Sequence, residues 1–354
     1  MEFAQIDSQY YCGVDLHSNS MYVTVMDKFG KILYRRNLRN DFHLFKTKMA
    51  PFLPDLAVGV ESTYNWYWLA DGCHQANIPF YLGHALYMKA ITGGKKKNDK
   101  IDSRTLADLM RGNLFPTAYP YPKQMRSTRD LLRRRNYFVV LRAAANSHIQ
   151  TIFHQLATID IQGTDVKKKN TRRTIIEKID DPQLQLSVES DLDLMDALDP
   201  IIKQLERRIR TQAKQHDRKL FAILQTTPGI GDILALTILY EIHKIDRFPS
   251  AKNFSSYCRT VRCERSSNGK AKGGGNQKIG NPYLKWAMDQ IIVRAQTKNP
   301  LIRSYYQLLK SKHGKRKARA IIGHKFAVAI YYMLKNGQGF DEKKFIQPAL
   351  KKKK

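Results

Sequence analysis

The first 111 residues alternate short β-branched, aromatic-rich runs with helical patterns, and that order narrows the fold more than any other feature of the chain. Segments 9–16, 21–28 and 31–38 read as three consecutive strands, with Phe29-Gly30 as a turn between the second and third. Residues 41–50 read as a helix, 55–61 as a buried apolar strand, 64–76 as a helix and 79–84 as a further strand. Ile101, Leu106, Leu109 and Met110 then give helical spacing from Asp99 to Arg111. Three strands, helix, strand, helix, strand, helix is the order of an α/β ribonuclease-H-like (RuvC-like) domain.

Phe115-Pro116-Thr117-Ala118-Tyr119-Pro120-Tyr121-Pro122 breaks the helical pattern and reads as an extended linker. Beyond it, 125–160 and 190–217 carry long amphipathic periodicity, with breaks at 167–170 and 180–182. They read as an antiparallel pair or coiled coil, serving either an oligomer or an intramolecular bundle. Thr227-Pro228-Gly229-Ile230-Gly231 reads as an interhelical turn, similar to a helix-hairpin-helix turn. Residues 264–280 form a polar, glycine-rich, basic loop, and helical pattern returns at 283–295 and 301–334. The expected domains are 1–115 (RuvC-like catalytic), 116–217 (linker and helical coiled-coil arm), 218–340 (mostly α, carrying the loop) and a basic tail at 341–354.

Charge points to the partner. The chain has 61 Lys and Arg against 31 Asp and Glu, a formal net charge of +30. Such an excess favours a nucleic acid, because neutralising phosphates releases counterions. A hydrophobic content of 42% argues for packed cores rather than a disordered basic chain. Cys12, Cys73, Cys258 and Cys263 form no metal-binding spacing and no disulfide framework. No secretory signal opens the chain, and the apolar run Phe326 to Leu334 is too short to span a bilayer. The expectation is a cytoplasmic, prokaryotic, nucleoid-associated protein with no membrane partner.

Within this basic chain four acids occupy special places. Asp15 and Glu61 end predicted strands, and Asp99 and Asp102 share one face at the start of a predicted helix. Taken singly, each is also a surface acid, and Asp99 a helix cap. Converging together, they demand a cation, and carboxylate oxygens suit Mg²⁺ or Mn²⁺. In the basic loop, Ser266 and Ser267 lie between Arg265 and Lys270. A serine there is a nucleophile if a metal or positive field stabilises its oxyanion, and read alone it is ordinary turn chemistry. Lys95, Lys96, Lys97, Lys100, Arg265, Lys270, Lys272 and Lys278 are the expected backbone-binding cations.

Gly13-Val14-Asp15, Val60-Glu61-Ser62-Thr63, Asn98-Asp99-Lys100-Ile101-Asp102, Thr227-Pro228-Gly229-Ile230-Gly231 and Ser266-Ser267-Asn268-Gly269-Lys270 follow one another in an order that resembles the DEDD transposases of insertion sequences. These are bridge-RNA-guided recombinases related to certain site-specific DNA invertases. The resemblance runs from about Tyr11 to Gly337, and Asn98 to Asp102 is its most specific part. It departs at Arg259-Thr260-Val261-Arg262, where the family usually has Gly-Leu-x-Pro, and at Asn268, where Gly is common.

The resemblance implies that Asp15, Glu61, Asp99 and Asp102 hold the metal and that Ser267, with Ser266 as second choice, forms a 5′-phosphoserine intermediate. It also implies donor and target DNA, a structured guide RNA, a homo-oligomer (a dimer, or a tetramer as a dimer of dimers) and strand exchange through a four-way junction. Two alternatives use the same residues differently. One is a metal-dependent nuclease or Holliday-junction resolvase with water as nucleophile. The other is a non-catalytic nucleic-acid-binding protein on a degenerate nuclease fold.

Overall fold

The computed structural model describes residues 3–91, 98–156, 165–166, 168–213, 217–261, 264–267, 270–274 and 278–350. They form two compact units, Met1–Gln124 and Met125–Lys354.

The first unit is built on a five-stranded sheet of β1 (Tyr10–Leu16), β2 (Ser20–Asp27), β3 (Ile32–Arg39), β4 (Leu56–Glu61) and β5 (Phe80–Gly83), in the spatial order β3-β2-β1-β4-β5. The β1–β2 and β2–β3 pairs are antiparallel, and β4 pairs parallel with both β1 and β5. The expected strand and helix order is present, with an added helix α3 (Ala85–Ile91) before α4 (Asp99–Arg111).

Alternation along the central strands sorts side chains between two layers. Cys12, Val14 and Leu16 of β1 and Leu56, Val58 and Val60 of β4 pack with α1 (Phe42–Met49) and α2 (Tyr67–Gln75), through Phe45, Met49, Leu69 and Cys73. The opposite face carries Tyr11 and Ala57 and receives Leu106, Ala107 and Met110 of α4, with Phe115. Gly13 and Gly59 lie on this second face. A Cβ at Gly13 would come within 2.1 Å of the Ser103 carbonyl oxygen, and one at Gly59 within 2.2 Å of the Met110 sulfur. Only glycine lets α4 lie this close to the strands. A buried 2.8 Å hydrogen bond between Thr24 Oγ1 of β2 and Ser103 Oγ fixes the helix at the same place.

The second unit is mostly helical: α5 (Lys123–Leu156, whose first two residues belong to the first unit), α6 (Lys169–Ile176), α7 (Pro182–Ala213), α8 (Arg218–Gln225), α9 (Asp232–Ile242), α10 (Ala251–Tyr257), α11 (Pro282–Lys298), α12 (Pro300–Asn336) and α13 (Glu342–Leu350). The expected break at 180–182 falls between α6 and α7, and Pro182 opens α7, because proline suits the first helical position. Residues 264–280, expected as a loop, contain a short antiparallel hairpin of β6 (Glu264–Ser267) and β7 (Lys270–Gly274). The stretch expected as a tail is helical to Leu350 and buries Phe345 in the unit's core.

Helices α5 and α7 form an antiparallel pair within the chain. Arg135 bonds Glu206, Arg142 bonds Asp199 and His148 bonds Asp191, so each step along α5 is matched by a step back along α7. Ile149, Ile152 and Phe153 pack against Val188, Leu192 and Met195 beneath these pairs. Met125 and Leu132 of α5 and Ile209 of α7 also pack on Leu236 and Tyr240 of α9, which merges the arm with the remaining helices. From Leu234 to Ile242 every residue of α9 is buried, as expected of a helix surrounded by others.

Glu241 is the one acid in that buried run, at 1% exposure. It accepts hydrogen bonds from Arg129 Nε at 3.0 Å, Arg133 Nε at 2.6 Å and Asn281 Nδ2 at 2.7 Å. Burial pushes its carboxyl up, but Arg133, Arg129 and Asn281 outweigh burial and hold it below the ordinary glutamate value. The pair is therefore stabilising above the unfolded pKa and is lost as pH falls into the acid range. Glu241→Gln leaves two guanidinium groups around a neutral amide. It should lower unfolding free energy at pH 7 by about 3–5 kcal/mol, read from urea midpoints, with a smaller difference below pH 4.

Candidate metal centre

The site grows out of the α4–β1 contact. Asp15 lies two residues beyond Gly13 on β1, so it faces α4. Glu61 ends β4, whose parallel register pairs Val14 with Val60 and carries Glu61 to the level of Asp15. Asn98 caps α4, its Oδ1 accepting from the Ile101 amide at 2.9 Å. The cap is thus Asn98 rather than Asp99, and Asp99 and Asp102 occupy the first turn without being spent on capping.

The Asp15 side chain is 17% exposed, against 44% for His17 and 52% for Asp99. Its carboxyl is pushed up to about 6 from an ordinary 3.8. Burial is the largest cause; His17 opposes it, while Asp102, Asp99 and Glu61 each raise it further. Glu61, Asp99 and Asp102 are thus near enough to act on Asp15, but among the described residues the ligand atoms that gather within 4.8 Å are those of Asp15, Asp99 and His17, not those of Glu61 or Asp102. The four acids stand at the carboxyl ends of β1 and β4 and the amino end of α4.

Sequence reasoning missed His17. Its Nε2 stands 3.4 Å from Asp15 Oδ2 and 3.3 Å from Asp99 Oδ1. One ligand atom from each of Asp15, His17 and Asp99 lies within 4.8 Å of the others. Its place two residues after Asp15, just past the end of a strand, was the available signal. Asn40 Nδ2 and Asn65 Nδ2 both donate to the His17 carbonyl, at 2.9 and 2.6 Å, so the backbone here is held from two sides.

The remaining predicted residues are placed as follows. Lys100 is exposed on α4, and Lys278 is exposed beside the end of α10. Lys95, Lys96 and Lys97 lie outside the described residues, and for Arg265, Ser266, Ser267, Lys270 and Lys272 only the backbone is described, within the β6–β7 hairpin. The base of that hairpin is tightly tied. Arg259 donates to the carbonyls of Ile279, at 3.1 Å, and Lys278, and the Asn281 amide donates to Tyr257 O at 2.6 Å. Asn281 also caps α11 while bonding Glu241.

Two family models match the chain. Residues 12–158 match a DEDD transposase family of the IS110 type, a span that contains all four acids and His17. Residues 221–307 match the family described as Transposase IS116/IS110/IS902, a span that runs from α8 into α12 and includes the hairpin. The chain belongs to the IS110-type DEDD transposases. No curated protein matches it. Membership makes this transposase a DNA-acting recombinase of an insertion sequence, in a family that generally depends on divalent metal. Among its described residues no helix is long and apolar enough to cross a membrane.

The raised Asp15 carboxyl gives a stability test in metal-free protein. A folded state that holds a proton the unfolded chain releases loses stability as pH climbs from about 4 to about 6, and the cost is complete above that. Each pKa unit corresponds to about 1.4 kcal/mol. In EDTA, Asp15→Asn should therefore raise unfolding free energy at pH 7 by on the order of 2 kcal/mol and change it little at pH 3.5. Paired urea titrations at the two pH values measure this difference.

Proposed function

We propose that this transposase cuts and rejoins DNA with Mg²⁺ or Mn²⁺ held by Asp15, Glu61, Asp99 and Asp102, using a serine of the β6–β7 hairpin as nucleophile. The observation that carries the reading is geometric: ligand atoms of Asp15, His17 and Asp99 lie within 4.8 Å of one another at the end of β1 and the start of α4, with Glu61 ending the neighbouring β4. A protein with a net charge of +30 has little use for such a concentration of negative charge except to bind a cation. The sheet order β3-β2-β1-β4-β5, with its antiparallel half and parallel half, supports a ribonuclease-H-like architecture for the first unit.

The donor set fits a divalent ion. Three or four carboxylates suit hard Mg²⁺ or Mn²⁺, and the nearby imidazole is compatible with the softer of the two. When bound, such an ion polarises a phosphoryl oxygen and stabilises charge on the attacking and leaving oxygens. The protein's own part is to hold the acids ready. Gly13 lets α4 approach, Asn98 relieves Asp99 of capping, and the Thr24–Ser103 bond sets the helix position.

In the proposed step Ser267 Oγ, or Ser266 Oγ as second choice, attacks phosphorus. The Oγ–P bond forms, the P–O3′ bond breaks, and the serine proton ends on the departing 3′ oxygen. The 5′-phosphoserine ester retains the bond energy of the cut strand, so a new 3′-hydroxyl can reverse the step without ATP. Arg265, Lys270, Lys272 and Lys278 would position backbone phosphates around it. The reading includes a homo-oligomer and a structured guide RNA, with strand exchange through a four-way junction.

The experiment is incubation of purified protein with its flanking RNA, labelled donor and target DNA and Mg²⁺. A covalent protein–DNA adduct is expected, mapped to Ser267 or Ser266 by mass spectrometry. It should disappear in Asp15→Asn and Asp99→Asn, and in Ser267→Ala if that serine reacts. Metal-dependent cutting that leaves free, unlinked ends and survives loss of both serines would instead establish water as the nucleophile.

A further inference from the structure

The two sides of α4 are chemically opposite. At about 100° per residue, Asp99 and Asp102 fall to the β1 side of the sheet-facing Ser103, while Lys100 and Arg104 fall to the other side. That other side looks onto β3. Thr24, bonded to Ser103, pairs across β2–β3 with Arg35, so Arg35 shares the α4 face of the sheet. Arg35, Lys100 and Arg104, with Asn98, Thr105 and Asp108, line a groove of about 430 Å³.

Arg35 is the unusual member. Its Nε and Nη2 are buried and have no hydrogen-bond partner among the described residues. A guanidinium cannot shed its proton to escape burial, so those donors require an acceptor. Asp108 does not supply one. It is engaged by Arg104 at 3.4 Å and Arg111 at 3.5 Å. The groove is therefore lined by three cations and one carboxylate that is already engaged, and two buried donors of Arg35 meet no acceptor among the described residues. A phosphate in the groove would bring an acceptor to a guanidinium that has none for two of its donors, and arginine suits phosphate better than lysine does.

We infer that this groove holds a backbone phosphate of the DNA strand whose scissile phosphate lies at Asp15, Glu61, Asp99 and Asp102. The inference rests on the acid site proposed above and adds to it a second, cationic contact on the far side of one helix. A helix is about 10–12 Å across with its side chains, so the two contacts fall within a few nucleotides of one strand. Without that anchor, the acids would repel the phosphate they are meant to cut. Arg35 is thus a positioning residue, acting on substrate placement and not on the reacting bond.

The test is DNA binding in Ca²⁺-free buffer with EDTA, where no cleavage occurs, over a range of salt concentrations. Anisotropy is read on a labelled DNA duplex, the same single strand and an RNA hairpin. Arg35→Gln should weaken binding to DNA and lower the slope of log affinity against log salt by about one. Arg35→Lys should restore the slope but only part of the affinity, because lysine lacks the fork. If Arg35→Gln does not fold, the exposed pair Lys100→Gln and Arg104→Gln carries the test, with a slope lowered by about two. Unchanged DNA affinity and slope would overturn the inference, as would a loss confined to RNA. Mn²⁺ binding to the same variants should be unchanged. Loss of Mn²⁺ binding in Asp15→Asn tests the acid site separately, so failure of one reading is visible apart from the other.

Discussion

Everything in the first unit follows from how closely one helix approaches one strand. Gly13 has no side chain, and the Ser103 carbonyl occupies the space where one would be. That contact puts the first turn of α4 over the end of β1, and the parallel β1–β4 register brings Glu61 alongside. Close packing of this sort leaves no room for a methyl group. The acids converge because the apolar part of α4, through Leu106, Ala107 and Met110, is buried against the sheet. Apolar burial supplies the stability, and the carboxylates are carried along at the helix's amino end, where the helix dipole favours negative charge.

The second unit uses charge in the opposite way. Glu241 sits in an otherwise apolar, fully buried helix, and its stability comes from two arginines of α5 and from Asn281. Asn281 is simultaneously the cap of α11 and the end of the segment that carries the hairpin. A single buried acid thereby ties the start of the helical arm to the base of the loop bearing Ser266 and Ser267. In the first unit clustered acids beside one imidazole make a site; in the second an acid held by two arginines and an asparagine makes a scaffold.

Much of this was legible in the sequence, and the remainder has identifiable reasons. The order of strands and helices, and the strand ends and helix start on which the four acids stand, were readable because period-two runs and an i,i+3 pair leave strong local signals. The arm's partner was not, since periodicity alone does not say whether an amphipathic stripe meets its own chain or another; the ion pairs Arg135–Glu206 and Arg142–Asp199 decide that. The β6–β7 hairpin was hidden by glycine and lysine, which read as loop. The break read at 180–182 is present, and Pro182 closes it as the first residue of α7, a position where its missing N–H costs nothing. His17 and Arg35 escaped because their significance depends on strands paired across the sheet. Glu241 could have been found, as one acid in an apolar helix needs a buried partner.

The central claim is that α4 and β1 together form a divalent-cation site. Soaking crystals of the full chain with Mn²⁺ and collecting anomalous data tests it most directly. The account predicts a peak bonded to Asp15 and to at least one of Asp99 and Asp102, at about 2.0–2.2 Å from their oxygens. A saturating soak that leaves this position empty, with Mn²⁺ bound elsewhere on the chain, would contradict it.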